Sequence, residues 1–136
     1  MTPPPVIPCG VALILQGRKF LISQRSAGDT FGSFWEFPGG KKEDEETFEE
    51  CVIREAREEL GIQIVIQRKF MEVKKEYEER TLWLNFYICS HVSGDPKPLE
   101  SQGLRWADVS ELRSFRFPPA NEPVIECLIK DFGRVG

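Results

Sequence analysis

The 136-residue chain is poor in the groups that build nitrogen- or sulfur-ligated metal centres, with one histidine and four cysteines. Cys9, Cys51, Cys89 and Cys127 lie far apart and form no Cys-x-x-Cys pair, and His91 stands alone. That pattern excludes a zinc site and a disulfide scaffold and leaves the cysteines as buried free thiols. Long apolar runs are missing as well. The longest is Val11–Leu15, far below the roughly 20 residues of a membrane-spanning helix, so no membrane is expected as a partner. The start, Met1-Thr2-Pro3-Pro4-Pro5, has neither the basic nor the apolar segment of a secretory leader, and a cytoplasmic location is expected. No repeat, low-complexity stretch, domain boundary or signal for an oligomeric state is visible. What is present, 40% hydrophobic and 29% charged residues, suits one globular domain spanning residues 1–136.

The net charge of −4 is unevenly placed. Between Gly40 and Gly61 nine acids face four bases, whereas the remaining 13 acids and 14 bases nearly cancel. A block of this kind is a solvated helix face, a cation site or an acidic interaction segment, and its internal pattern has to decide among them.

Around the block, Val6–Leu15 and Lys19–Ser23 read as a β-hairpin turned by Gln16-Gly17-Arg18. Ser26–Lys42, with four glycines, reads as a loop whose Pro38-Gly39-Gly40 lets the backbone approach another group closely. From Glu46 to Gly61 the spacing predicts a helix, with Phe48, Val52, Ala56 and Leu60 as its apolar stripe. Thr47 and Glu50 can form a capping box there, and Gly61 a C-terminal cap. Ile62–Gln67, Lys69–Lys74, Thr81–Ser90 and Gly103–Trp106 read as strands, with Ser93-Gly94-Asp95-Pro96 as a turn. Glu122–Phe132 reads as a second helix, with Asn121 as N-cap and Pro123 tolerated in the first turn. Strands interspersed with helices indicate an α/β (α+β) layered domain.

On the first helix, Glu55 precedes Glu58 by three residues and Glu59 by four, which sets three carboxylates together beside the apolar stripe. Such a triad is either a fully solvated face or a holder of cations. Oxygen donors without nitrogen or sulfur suit Mg²⁺ or Mn²⁺, and Mg²⁺ pairs naturally with a phosphorylated substrate.

The run Gly40-x5-Glu46-x7-Arg54-Glu55-Ala56-x-Glu58-Glu59-x-Gly61-Ile62 resembles at every position the Nudix box of the Nudix hydrolases. The resemblance implies a Nudix-type α/β/α sandwich, a mixed sheet between helices. It also implies a Mg²⁺-dependent pyrophosphohydrolase, with Mn²⁺ as a substitute. By that resemblance Glu58, Glu59 and the Gly39 carbonyl are metal ligands, Glu55 is a ligand or the general base, and Arg54 orients Glu55.

Beyond the box, the chain resembles the MutT-type branch, the 8-oxo-dGTP diphosphatases, over nearly its whole length. Trp35-Glu36-Phe37-Pro38-Gly39-Gly40-Lys41 precedes the helix as in that branch, and Phe117 to Ile125 is similar to its base-recognition segment. This implies that Asn121 reads the purine edge, that Phe37 bounds the base pocket, and that Glu100 is an additional metal-binding residue. An amide suits the reading because guanine oxidised at C8 carries a proton at N7 where guanine has a lone pair. Arg25 is a candidate phosphate contact or a plain surface arginine. Tyr77, Trp83, Phe86 and Tyr87 read as core or half-buried sheet residues more readily than as base-stacking platforms, and His91 lies outside the motifs and the chemistry.

The expected substrate is therefore a purine nucleoside triphosphate, 8-oxo-dGTP or dGTP, cut to the monophosphate and pyrophosphate in sanitation of the nucleotide pool. The alternative is removal of pyrophosphate from a 5′-triphosphorylated RNA end, for which Arg68, Lys69, Lys74 and Lys75 offer a local basic patch. Nucleoside-diphosphate sugars and dinucleoside polyphosphates share the box without a specific cue. A catalytically silent nucleotide-binding module would be expected to lose a box glutamate, and none is lost.

Overall fold

The computed structural model describes residues 2–133. Its strands are β1 (Val6–Gln16), β2 (Lys19–Gln24), β3 (Trp35–Glu36), β4 (Gly39–Lys41), β5 (Gln63–Glu76), β6 (Thr81–Ser93) and β7 (Gly103–Asp108). The helices are α1 (Phe48–Leu60) and α2 (Glu122–Phe132), with short 3-10 segments at Val109–Ser114 and Pro119–Asn121. The sheet runs β3-β2-β1-β6-β5, with β4 added to β1 and β7 to β2. It is mixed. β1 and β6 pair in parallel from Val6 opposite Thr81 to Ile14 opposite Cys89, and the other pairings are antiparallel.

The apolar runs in β1 and β2 are continuous because both faces of the sheet are covered. Ala12, Ile14, Leu21, Tyr87 and Cys89 pack with Val52, Ala56 and Leu60 of α1. Their neighbours Val11, Leu13, Phe20, Ile22, Phe86 and Ile88 pack with Val124, Ile125 and Leu128 of α2. The result is the helix-sheet-helix sandwich with a mixed sheet. Cys9, Cys51 and Cys89 are buried free thiols and Cys127 is half-buried.

Three sequence expectations are corrected. Ser26–Lys42 is not all loop: Trp35–Glu36 pairs with the end of β2, and Gly39–Lys41 pairs with Cys9–Val11 of β1. Strands of two and three residues are too short to show an alternating pattern. Ile62–Gln67 and Lys69–Lys74 are one strand, β5, whose register against β6 shifts between Gln63 and Ile64, between Ile66 and Arg68, and between Lys69 and Met71. Each shift moves the apolar positions to the other face, which breaks the period in the sequence without breaking the strand.

The third correction concerns helix starts. The first helix begins at Phe48 rather than Glu46, because Thr47 is an extended N-cap, φ −78° and ψ 167°. The capping box is formed: the Glu50 N–H donates to Thr47 Oγ1 at 3.1 Å and the Thr47 N–H donates to Glu50 Oε1 at 2.8 Å. Gly61, at φ 71°, closes the helix in the left-handed region. Asn121, by contrast, does not cap α2. Its backbone is already helical, as the last residue of the preceding 3-10 turn, and its side chain makes no capping bond.

Thr47→Ala removes the reciprocal cap at the exposed start of α1 and is expected to lower stability by about 1 kcal/mol in a urea melt. Asn121→Ala removes no cap and only a 3.3 Å bond to the Pro118 carbonyl, and should lower the melting midpoint less than Thr47→Ala does.

Candidate active site

The box folds around one guanidinium. Arg54 presents its fork to Glu46, with Nη2 at 2.6 Å from Oε1 and Nε at 2.9 Å from Oε2. Its Nη1 donates to Glu55 Oε1 at 2.8 Å and to Glu58 Oε2 at 3.0 Å, and Nη2 also donates to the Lys41 carbonyl at 3.1 Å. Arg54 and Glu46 side chains are only 16% and 13% exposed, so these are shielded, charge-assisted bonds. The guanidinium holds the Glu46 carboxyl down at about 2, and its carboxylate partners raise the Arg54 pKa in turn.

Glu59 lies one turn beyond Glu55 and accepts from the Gly39 N–H at 2.9 Å. Burial and the neighbouring Glu55 carboxylate push its pKa up to about 9. Gly39 and Gly40 are required by close approach: a Cβ on Gly39 would stand 2.4 Å from the Gly10 carbonyl, and one on Gly40 would stand 2.6 Å from Glu55 Oε2. Both lie on β4, so the pairing of β4 with β1 sets the distance between the glycine turn and α1.

The donor set at this turn, Glu55, Glu58, Glu59 and the peptide of Gly39, consists of hard oxygens and fits a small divalent cation such as Mg²⁺. Among the described residues no three Cys, His, Asp or Glu side chains already converge as a cage. Glu55 and Glu58 are instead drawn to Arg54, which serves as their counter-cation. Glu100 is exposed and has no hydrogen bond or ion pair among the described residues, although its loop is pinned to the end of α1. There the Lys97 N–H donates to the Leu60 carbonyl at 3.0 Å and the Leu99 N–H to the Glu59 carbonyl at 3.1 Å.

On the α2 side of the same glycine turn a cleft of about 670 Å³ opens, and its lining includes Arg25, Phe37, Gly39 and Asn121. Phe37 is buried and stacked on Phe117, centroids 5.1 Å apart. Asn121 Nδ2 donates to the Pro118 carbonyl at 3.3 Å. Arg25 is neither free nor at the plain surface: Nη1 meets Glu36 Oε1 at 2.8 Å and Nε donates to the Thr30 carbonyl at 2.8 Å. Burial raises the Glu36 carboxyl, with Arg25 opposing.

Sequence reasoning gave Glu36 and Glu46 no task of their own, although both stood inside the quoted motifs. For Glu46 the signal was available, because Arg54 of the same box needed an anion to fix it; the partner of Glu36, Arg25, lies outside the quoted motifs. Of the aromatics, Phe86 and Tyr87 are buried in the sheet, Trp83 packs edge-on to Phe48, and Tyr77 reaches the cleft. His91 Nε2 is 2.6 Å from the Gly94 carbonyl in the turn after β6 and is not among the residues lining the cleft.

The family model described as "NUDIX domain" matches residues 10–127. The chain belongs to the Nudix family. It is 36% identical over 110 residues to the 8-oxo-dGTP diphosphatase of Escherichia coli, covering 81% of this chain and 85% of that one. It is 30% identical over 118 residues to the CTP pyrophosphohydrolase of the same organism, 87% of each chain. Among solved structures, the E. coli ORF135 protein matches with a TM-score of 0.84 at 29% identity, over 93% of this chain and 91% of that one. The MutT protein of Methanosarcina mazei Go1 matches with a TM-score of 0.86 at 25% identity, over 98% and 100%. This Nudix hydrolase is thus MutT-like, an enzyme acting on phosphoric anhydrides, and Nudix hydrolases generally use a divalent metal.

The Glu46–Arg54 pair carries a pH signature. A carboxyl lowered by folding adds stability that is complete above its unfolded pKa, near 4.5, and is lost as pH falls toward about 2. The stability difference between the native chain and Glu46→Gln should therefore be constant from pH 8 to about 5 and shrink below that, as read by urea denaturation across pH.

Proposed function

We propose that this Nudix pyrophosphohydrolase acts on a purine nucleoside triphosphate, 8-oxo-dGTP in preference to dGTP, in the cytoplasm, releasing the monophosphate and pyrophosphate. The observation that carries the reading is the junction at Gly39–Gly40, where the carboxylates of α1 meet a cleft lined by Phe37 and Asn121.

In this reading Glu55, Glu58, Glu59 and the Gly39 carbonyl hold Mg²⁺, with Glu100 as a further ligand. When bound, the cation supplies charge neutralisation to the polyphosphate and acidifies water. Glu55, half-buried and aligned by Arg54, accepts the proton of the attacking water. The water oxygen joins phosphorus as the P–O–P bridge breaks, and the bridging oxygen leaves with the departing phosphate group. Arg54 is a positioning residue, fixed by Glu46. Asn121 reads the purine edge beside Phe37, and Arg25, steadied by Glu36, faces the phosphates.

The amide of Asn121 supports discrimination at N7 and O6, because it carries a donor and an acceptor side by side. The similarity to a CTP pyrophosphohydrolase makes a pyrimidine triphosphate the second reading.

Steady-state kcat/KM for 8-oxo-dGTP, dGTP and CTP, with every product identified, tests the assignment. A preference of about 100-fold or more for 8-oxo-dGTP, roughly 2.7 kcal/mol of transition-state discrimination, is the expected result; faster turnover of CTP overturns it. Asn121→Ala should reduce that preference by about tenfold or more, and an equal loss on all bases would remove Asn121 from base reading. Glu58→Gln should lower kcat/KM by about 100-fold or more at saturating Mg²⁺; near-normal turnover would remove it from the metal site.

A further inference from the structure

The segment between β6 and β7 is tied down at both ends. At one end the Lys97 N–H donates to the Leu60 carbonyl and the Leu99 N–H to the Glu59 carbonyl, so the chain lies against the last turn of α1. At the other end Gln102 reaches the segment that follows β2. Its backbone N–H donates to the Gln24 carbonyl at 3.0 Å, and its Nε2 donates to the Arg25 carbonyl at 2.6 Å and to Ser33 Oγ at 3.4 Å. Glu100 stands between the two anchors, one residue after Leu99 and two before Gln102.

The backbone that Gln102 holds belongs to a residue lining the cleft, Arg25, although Gln102 itself is not among the lining residues. Arg25 also closes the loop from Ser26 to Phe34 at its base. Its N–H donates to the Phe34 carbonyl at 2.8 Å, and its carbonyl accepts from the Ser33 N–H at 3.1 Å. Ser33 stands at φ 68° and Phe31 at φ 56°. Both are left-handed, a conformation that is costly for a residue with a Cβ and persists only where surrounding bonds impose it. The Gln102 amide supplies such bonds from outside the loop, and Gln24 Nε2 adds another to the Ser33 carbonyl at 3.0 Å.

We infer that Gln102 is a positioning residue: by joining the segment that carries Glu100 to the backbone of Arg25, it sets a fourth carboxylate and the cleft-side cation at once. The inference rests on the proposed roles of Glu100 and Arg25 and adds the group that places them. Without the amide, Leu99 still holds the segment to α1, and the Gln102 N–H and β7 still hold it to β2. The fold therefore survives, while Glu100 and the loop of Arg25 lose their fixed separation.

The test uses the full chain with Q102M, which keeps the side-chain length and removes its donor, and Q102A as a second variant. Mn²⁺ affinity is read from the electron paramagnetic resonance of the free ion, without nucleotide and with a non-hydrolysable α,β-methylene analogue of dGTP. Q102M should weaken Mn²⁺ binding about fivefold, and E100Q at least as much. Q102M/E100Q should match E100Q within about twofold, because an effect that passes through Glu100 disappears with it. The KM for dGTP at saturating Mg²⁺ should rise about fivefold in Q102M with kcat falling less, and should rise no further when Q102M is added to R25A. Thermal unfolding should shift by about 4 °C or less, since the bond is exposed.

Mn²⁺ affinity and KM that both stay within about twofold of native in Q102M and Q102A overturn the inference. So does a Q102M effect on Mn²⁺ that is as large without Glu100 as with it, which marks a general loosening of the chain. If E100Q alone binds Mn²⁺ like the native chain in both conditions, the reading of Glu100 as a ligand fails and takes the inference with it. That failure is recognised without any change at Gln102. Failure of the native chain to cut any nucleoside triphosphate strikes the functional reading instead and leaves the Mn²⁺ comparison to decide on Gln102.

Discussion

The site depends on the arrangement of charge around Arg54. A shielded guanidinium is stable only if its donors are all used, and here they are spent on Glu46, Glu55, Glu58 and the Lys41 carbonyl. Those partners belong to the glycine-turn strand, the loop before α1 and α1 itself. One side chain therefore fixes the distance between the backbone of the turn and the acidic face of the helix. It also keeps three nearby carboxylates from repelling one another apart. Glu59, which Arg54 does not reach, shows the cost of that crowding: with burial and Glu55 beside it, its pKa rises far above the ordinary carboxylate range, to about 9.

The sandwich has a consequence for chemistry. α1 covers one face of the sheet and α2 the other, so the carboxylates and the cleft lined by Phe37 and Asn121 start on opposite sides of β1. They meet only where β4 borders β1, and two glycines without side chains let the groups approach through that border. Substituting either would drive a Cβ into backbone or carboxylate. The capping box at Thr47 matters for the same reason, because it sets where α1 begins and hence which residues of the helix face the turn.

The legible parts of this chain were those governed by local rules. The apolar period of α1, its reciprocal cap and its glycine terminus are decided within a few residues, and the spacing of Glu55, Glu58 and Glu59 follows from helical geometry alone. The illegible parts depended on distant partners. The bulges of β5 answer to the register of β6, and β3 and β4 exist only because β2 and β1 offer them edges. Asn121 has the sequence position of an N-cap, yet the 3-10 turn before it places its backbone in the helical region and leaves the side chain to the cleft.

By itself the sequence determined a layered α/β domain, the acidic helix and the box that resembles the Nudix family, since each is written in short-range spacing and residue type; the helix-sheet-helix order came only with that resemblance. Tertiary structure decided which anion holds which cation, Glu46 for Arg54 and Glu36 for Arg25. It also decided that Gln102, unremarkable in a polar loop, holds the Arg25 carbonyl. Those pairings join residues separated by turns and strands, and only the packed sheet brings such groups within the few ångströms over which charge and hydrogen bonding act.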